Sequence, residues 1–154
     1  MLRDLDNNAK DFTRTLGKVV ALIEDSASAV HDKIFFDVYS EIVTRSPVKT
    51  GAYREANGIS AYEPTDTEGQ VDAKNKTSMK SVNQVLMEAN DKFKFDLSTQ
   101  SAVWFFNNQD YADLLENGRS ITQAPEGIYS VAFKQLNRNL QREYDELIRR
   151  EAGN

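Results

Sequence analysis

The chain has 154 residues, the length of one ordinary domain, and its 40% hydrophobic and 28% charged content is that of a folded protein with a well-solvated surface. Its 24 acidic and 19 basic side chains leave a net charge of −5, which weighs against a dedicated nucleic-acid binder with a concentrated basic face. The absence of cysteine excludes disulfides, thiolate catalysis and cysteine-held zinc.

No apolar run approaches the ~20 residues of a membrane span. The opening segment MLRDLDNNAKDF lacks the apolar core of a signal peptide, so the chain is expected to stay where it is made, in a cytoplasm. Residues 8–45 read as helix. Phe12, Leu16, Val19, Val20 and Ile23 recur on one helical face, and Val30, Ile34, Phe35, Val38, Tyr39 and Ile42 continue it. Between them, EDSAS supplies residue types that cap helices, which predicts a break near Asp25 or Ser26, with one bent helix as the alternative. Pro47 ends the region, because Ser46 before a proline is driven out of helical geometry.

Thr50-Gly51 reads as a turn and residues 52–62 as a strand. Residues 64–76, PTDTEGQVDAKNK, hold a single valine and no aromatic. That is too little apolar surface to offset the entropy of ordering, and a mobile polar loop is predicted. Residues 77–91 are predicted as a short helix with Met79, Val82, Leu86 and Ala89 on one face. The continuous apolar run AVWFF, 102–106, suits a strand buried on both faces.

Tyr111, Ala112, Leu114 and Leu115 then make a short helix, and Gly118 falls where a left-handed C-terminal residue is needed. Pro125 fits the first position of the last helix, and Glu126 its first turn. That helix carries the clearest amphipathic stripe of the chain: Tyr129, Phe133, Leu136, Leu140, Tyr144 and Leu147. No internal repeat is visible.

Residues capable of chemistry are few. His31 is the only histidine and reads as a surface or half-buried helical residue. Ser46-Pro-Val-Lys49 has the serine–lysine spacing of some acyl-transfer enzymes, but the proline denies it the helical turn that brings lysine onto serine. Asp110, Asp113 and Glu116 share a helical face and could hold a hard cation or do acid–base work. Their plainer reading is that acidic residues near a short helix's N-terminus favour its dipole. Asn75-Lys76-Thr77 fits the glycosylation sequon without a secretion signal and is incidental. On the last helix Lys134, Arg138, Arg142, Arg149 and Arg150 alternate with Glu143, Asp145, Glu146 and Glu151, a solvated face rather than a phosphate-binding stripe.

Two stretches stand out in order: RSPVKTGAYR at 45–54, after the N-terminal helical region, and NNQDYADLLENGRSITQAPEGIYSVAF at 107–133. Together they resemble the head–tail joining proteins of long-tailed phages, also called neck or tail-completion proteins. That family pairs a Pro-Val-Asp-Thr-Gly-Arg turn with a Tyr-Ala-x-x-Leu-Glu-x-Gly segment leading to Gln-Ala-Pro-x-Gly and a C-terminal helix. The matching positions here are Pro47, Val48, Thr50, Gly51 and Arg54, then Tyr111, Ala112, Leu115, Glu116, Gly118, Gln123, Ala124, Pro125 and Gly127. Lys49 stands where the family has an acidic residue, Ala52-Tyr53 separates the glycine from Arg54, and residues 64–92 have no assigned counterpart.

The resemblance implies one α+β domain spanning 1–154, with a long N-terminal helical region, a small antiparallel sheet and a C-terminal amphipathic helix. It implies a non-enzymatic virion protein without cofactor, metal or catalytic residues, assembled in the host bacterial cytoplasm and resident in the phage neck. Its copies would form a homo-oligomeric ring, a hexamer by analogy with the tail tube. The ring would touch a head-completion or connector protein on one side and a tail terminator or tail tube protein on the other. Viral DNA would pass through the lumen unread, and no membrane would be involved. Thr65, Asp66, Glu68, Gln70, Asp72 and Lys74 of the polar loop are candidate contacts between neighbours. Two rival readings are a small metal-dependent enzyme built on Asp110, Asp113 and Glu116, and a monomeric helical adaptor with an exposed apolar helix face.

Overall fold

The N-terminal segment of the fold is one long helix. In the computed structural model, which describes residues 2–120 and 122–153, α1 runs unbroken through Leu2–Arg45, 44 residues. The side chains of residues 2–12, 137, 138, 141 and 143, Phe12, Arg138 and Glu143 among them, lie outside the described set. The expected break at Asp25 or Ser26 is absent, and the serines explain why. Ser28 Oγ accepts the N–H of Leu97 at 3.1 Å, and Ser26 Oγ donates to Glu151 at 3.4 Å. Both hydroxyls are turned to distant segments rather than to a new helix start, and the stretch contains no glycine or proline that would force a kink. The helix does stop ahead of Pro47, as the proline dictates.

Past Gly51 the chain forms α2, Ala52–Ala56, in place of the strand expected over 52–62; only β1, Gly58–Ser60, is extended. The strand reading fails there because Ala52, Tyr53 and Ala56 are all buried, at the spacing of one helical face. β1 pairs antiparallel with β2, Trp104–Phe106, in the register Gly58↔Phe106, Ile59↔Phe105 and Ser60↔Trp104. The AVWFF run is therefore not a strand buried on both faces. A ribbon of two strands has no flanking strands to enclose it, and all of β2 is half-buried. Phe105 supplies the inward contact, edging the rings of Phe35 at 6.4 Å and Phe133 at 5.6 Å.

α3, Val82–Lys92, starts later than the expected residue 77 because Ser81 and Gln84 form a reciprocal capping box. Met79 thus lies outside the helix and is exposed, whereas Val85 is the buried position of α3. α4, Ala112–Glu116, follows the ribbon. α5, Tyr129–Ala152, begins beyond Pro125 and Glu126, so neither occupies the helical first turn anticipated for it. Gly127, at φ +80°, turns the chain between them and the helix.

α5 lies antiparallel to the C-terminal half of α1. At one end Ile128 and Ala132 pack with Val38, Ile42 and Tyr53; at the other, Glu151 reaches Ser26. On the far flank of α1, Tyr39 and Val43 pack against Val85 of α3. The protein is α+β, with a two-stranded antiparallel ribbon beside its helices. No helix among the described residues is long and apolar enough to cross a membrane.

Candidate functional site

The two stretches singled out in the sequence meet around one buried cluster. Tyr53 from the first lies against Tyr111 from the second, ring centroids 6.0 Å apart. Ala112 and Leu115 of α4 and Ala124 of the following turn join Val38, Ile42, Ile128 and Ala132 in the same core. In the first stretch Thr50 Oγ1 accepts the N–H of Ala52 at 3.3 Å, and Gly51 is buried with φ +75°. Pro47 is half-buried, and Arg54 has a buried Nε without a hydrogen-bond partner.

Above this core sits a polar hub that the sequence did not advertise. Asn57, 6% exposed, donates to Ser46 Oγ at 2.7 Å and to the Arg54 carbonyl at 3.1 Å. Its carbonyl oxygen Oδ1 accepts from Asn107 at 2.9 Å and from the Tyr129 hydroxyl at 2.8 Å. Tyr39 donates to the Asn57 backbone carbonyl at 2.9 Å. Burial, followed by the charge of Glu88, pushes the Tyr39 hydroxyl up to about 12, and burial also raises Tyr53 and Tyr129. The tyrosines therefore stay protonated, and Tyr39 and Tyr129 act as donors. The hub fastens α1, α2, the ribbon and α5 together.

Glu116 provides the second fastening. Its Oε2 accepts the N–H groups of Ile128 and Tyr129, each at 2.9 Å, and its Oε1 accepts the N–H of Ser130 at 2.7 Å and the Ser130 hydroxyl. These are the orphan donors of the first turn of α5, which has no capping side chain of its own. Burial raises the Glu116 carboxyl, but the hydrogen bonds from Ser130, Ile128 and Tyr129 outweigh it and hold the group below the usual range. The acidic triplet is thus split: Glu116 is turned inward as a cap for α5, while Asp110 and Asp113 are exposed. Among the described residues no three His, Cys, Asp or Glu side chains are grouped to hold a metal ion.

α4 ends as anticipated. Gly118 has φ +68°, its N–H bonds to the Leu115 carbonyl at 3.2 Å, and the Arg119 N–H reaches back to Leu114 at 3.1 Å. A Cβ at Gly118 would lie 2.6 Å from the Pro125 carbonyl, and one at Gly127 would lie 2.7 Å from the Glu116 carbonyl. The two glycines thus let the strands of a closed loop touch, with Ser120 bridging Ala124 across it. Gln123 and Pro125 sit on the exposed outside of this loop.

Residues 64–76 contain no helix or strand, in keeping with their composition. They are nonetheless tied to the rest of the chain. Asn108 donates its side-chain amide to the carbonyls of Thr65 at 3.2 Å and Glu68 at 2.7 Å, and its backbone N–H to Gly69 at 3.1 Å. Gln109 donates to Val71 at 2.8 Å. Lys76 reaches the sheltered carboxylate of Glu55 at 2.6 Å, which also accepts the Lys80 N–H at 2.7 Å. Burial raises Glu55, but the hydrogen bonds and charges of Lys76 and Lys80 win and lower it. Thr65, Asp66, Glu68, Gln70, Asp72 and Lys74 all remain exposed.

The remaining candidates have ordinary roles. Ser46 Oγ donates to the Ile42 carbonyl at 2.7 Å and Lys49 is exposed, so the serine is part of the hub. His31 is half-buried, as expected. Its Nδ1 lies 2.8 Å from the Ala27 carbonyl, and the Tyr144 hydroxyl lies 2.6 Å from Nε2 and 2.9 Å from Nδ1, tying α1 to α5.

Compared with known proteins, the chain matches no family model, no curated protein and no solved structure.

Proposed function

We propose that this chain is a structural subunit of the neck of a long-tailed phage, forming a homo-oligomeric ring that joins the DNA-filled head to the tail. One observation carries the reading: the two stretches that resemble the joining proteins close on each other as a single fastened body. Tyr53 of the first stretch meets Tyr111 of the second, and within the second Glu116 caps the start of α5. Glu116, Ser46 and His31 are engaged in holding elements together, as a structural junction requires. The net charge of −5 fits a lumen past which DNA slides, since a basic lining would bind phosphates and retard passage.

In this reading the protein contacts a connector on the head side and a tail terminator or tube on the tail side, and it resides in the virion. Identical subunits each contribute a modest interface and together give an avidity that one copy could not. A phage with this gene interrupted should yield separate filled heads and tails in the electron microscope, and added purified protein should restore infectious particles. Normally joined virions in that mutant would rule the function out, and unfilled heads would point to packaging instead.

A further inference from the structure

The ribbon has two strands, so β1 is paired with β2 along one edge only. Among the described residues, no backbone N–H or C=O of Gly58, Ile59 or Ser60 bonds to anything outside the ribbon. Unpaired backbone groups are a template for a further strand, and proteins guard such edges with lysine, proline or a bulge. β1 carries none of these guards. Its residues are glycine, isoleucine and serine, in unbroken register with β2.

The space beside β1 has room for a chain. A trough of about 500 Å³, the size of an ordinary ligand cleft, is bordered by residues 57–62, by the loop at 68–71 and by α3. Val85 and Phe93, both buried, give it an apolar lining together with Ala89. An extended segment lying along β1 would turn alternate side chains to this lining and to solvent.

The charges around the trough define the occupant further. Glu55 is paired with Lys76 at 2.6 Å, Lys80 with Glu88 at 2.7 Å and Lys94 with Asp32 at 3.6 Å. Glu68 accepts the N–H of Thr65 at 3.2 Å. Lys92 lines the trough, is exposed, and has no side-chain partner among the described residues. It is a cation waiting for a carboxylate. A second copy of this chain is a poor donor of the strand. Its long segments without helix or strand, 61–81 and 93–103, are fastened within their own subunit, the first by Asn108, Gln109 and Glu55 and the second by Asp32 and Ser28. Pairing two β1 edges directly would drive the walls of both troughs into each other.

We propose that the trough docks an extended peptide segment of a different protein. The segment adds to β1 through backbone hydrogen bonds, sets alternate apolar side chains against Val85, Ala89 and Phe93, and offers a carboxylate to Lys92. This goes beyond the neck reading, which stands or falls separately. The test uses the full chain, isotope-labelled for nuclear magnetic resonance, and the synthetic probe acetyl-Thr-Val-Asp-Val-Thr-amide. Added peptide should shift the amide signals of residues 58–60, Ala89 and Lys92 and saturate with a Kd of ~1 mM or tighter. Methylating every backbone nitrogen of the probe keeps its side chains and should abolish binding. Lysine in place of its aspartate should weaken binding ~2–5-fold, and Lys92→Glu on the protein should reverse that order. Ala89→Arg, which fills the trough, should remove binding. Absence of saturable shifts, equal binding of the methylated probe, or an order unchanged by Lys92→Glu overturns the proposal. So does dimerisation that shifts the same signals without peptide, since a second copy would then cover the edge.

Discussion

Gly118 and Glu116 are two residues apart, and one was far easier to read from sequence than the other. A glycine just after a short apolar helix calls for a left-handed turn on local grounds, and its φ is +68°. Gly118→Val should cost at least ~1–2 kcal/mol from backbone strain, with more from the clash at the Pro125 carbonyl. Chemical denaturation measures it; an unchanged midpoint would refute the assignment. Glu116 was misread as serving its own helix, because its partners are backbone groups of Ile128, Tyr129 and Ser130 that only tertiary folding brings near. Glu116→Ala should destabilise by ~1–3 kcal/mol, the range for losing a charged cap and leaving buried donors unpaired. The pH dependence has a definite sign. Glu55 and Glu116 are both held below their unfolded values, so each contributes stability above the ordinary glutamate value of ~4.3. That contribution is lost as pH falls through the lower, folded-state values. Acid unfolding of Glu116→Gln should therefore be less steep than that of wild type below ~4.3, and a parallel curve would refute the linkage.

Among elements, periodicity succeeded where a segment packs on one side and failed where the partner decides. The α5 stripe and the second half of the α1 stripe were legible because those faces pack on the core, whereas Leu16, Val19, Val20 and Ile23 of the first half keep the same spacing and are exposed. The start of α3 was also legible in principle, since Ser81-x-x-Gln84 is a capping box written in the sequence. The extent of the strands was not, because a three-residue pairing is too short to impose alternation. Low hydrophobicity predicted a mobile loop at 64–76, but could not reveal that Asn108 and Gln109 hold its carbonyls. Asn108→Ala should raise the rate of limited proteolysis within 64–76 well above that of wild type, while the overall melting temperature changes little. Equal cleavage rates would show that the amide does not secure the loop.

At the scale of the molecule, the α+β class could be read from the chain, while the Asn57 hub could not, since asparagines have no signature until a fold surrounds them. The fold depends on the base of α1, where Ile42 and Val43 are fully buried between α5 and α3. Ile42→Ala should cost ~2–5 kcal/mol, far more than Ile23→Ala on the exposed half, and similar losses would mean the core is misplaced. The unbroken course of α1 through Ser26 has a mechanical consequence. A rigid rod clamped at one end is a lever. With ~36 Å of rod beyond the clamp, a tilt of ~10° at the base swings the tip by ~6 Å, a little more than one helical turn. Small repacking around Ile42 is thereby amplified at the far end into a displacement as large as a one-turn change of register.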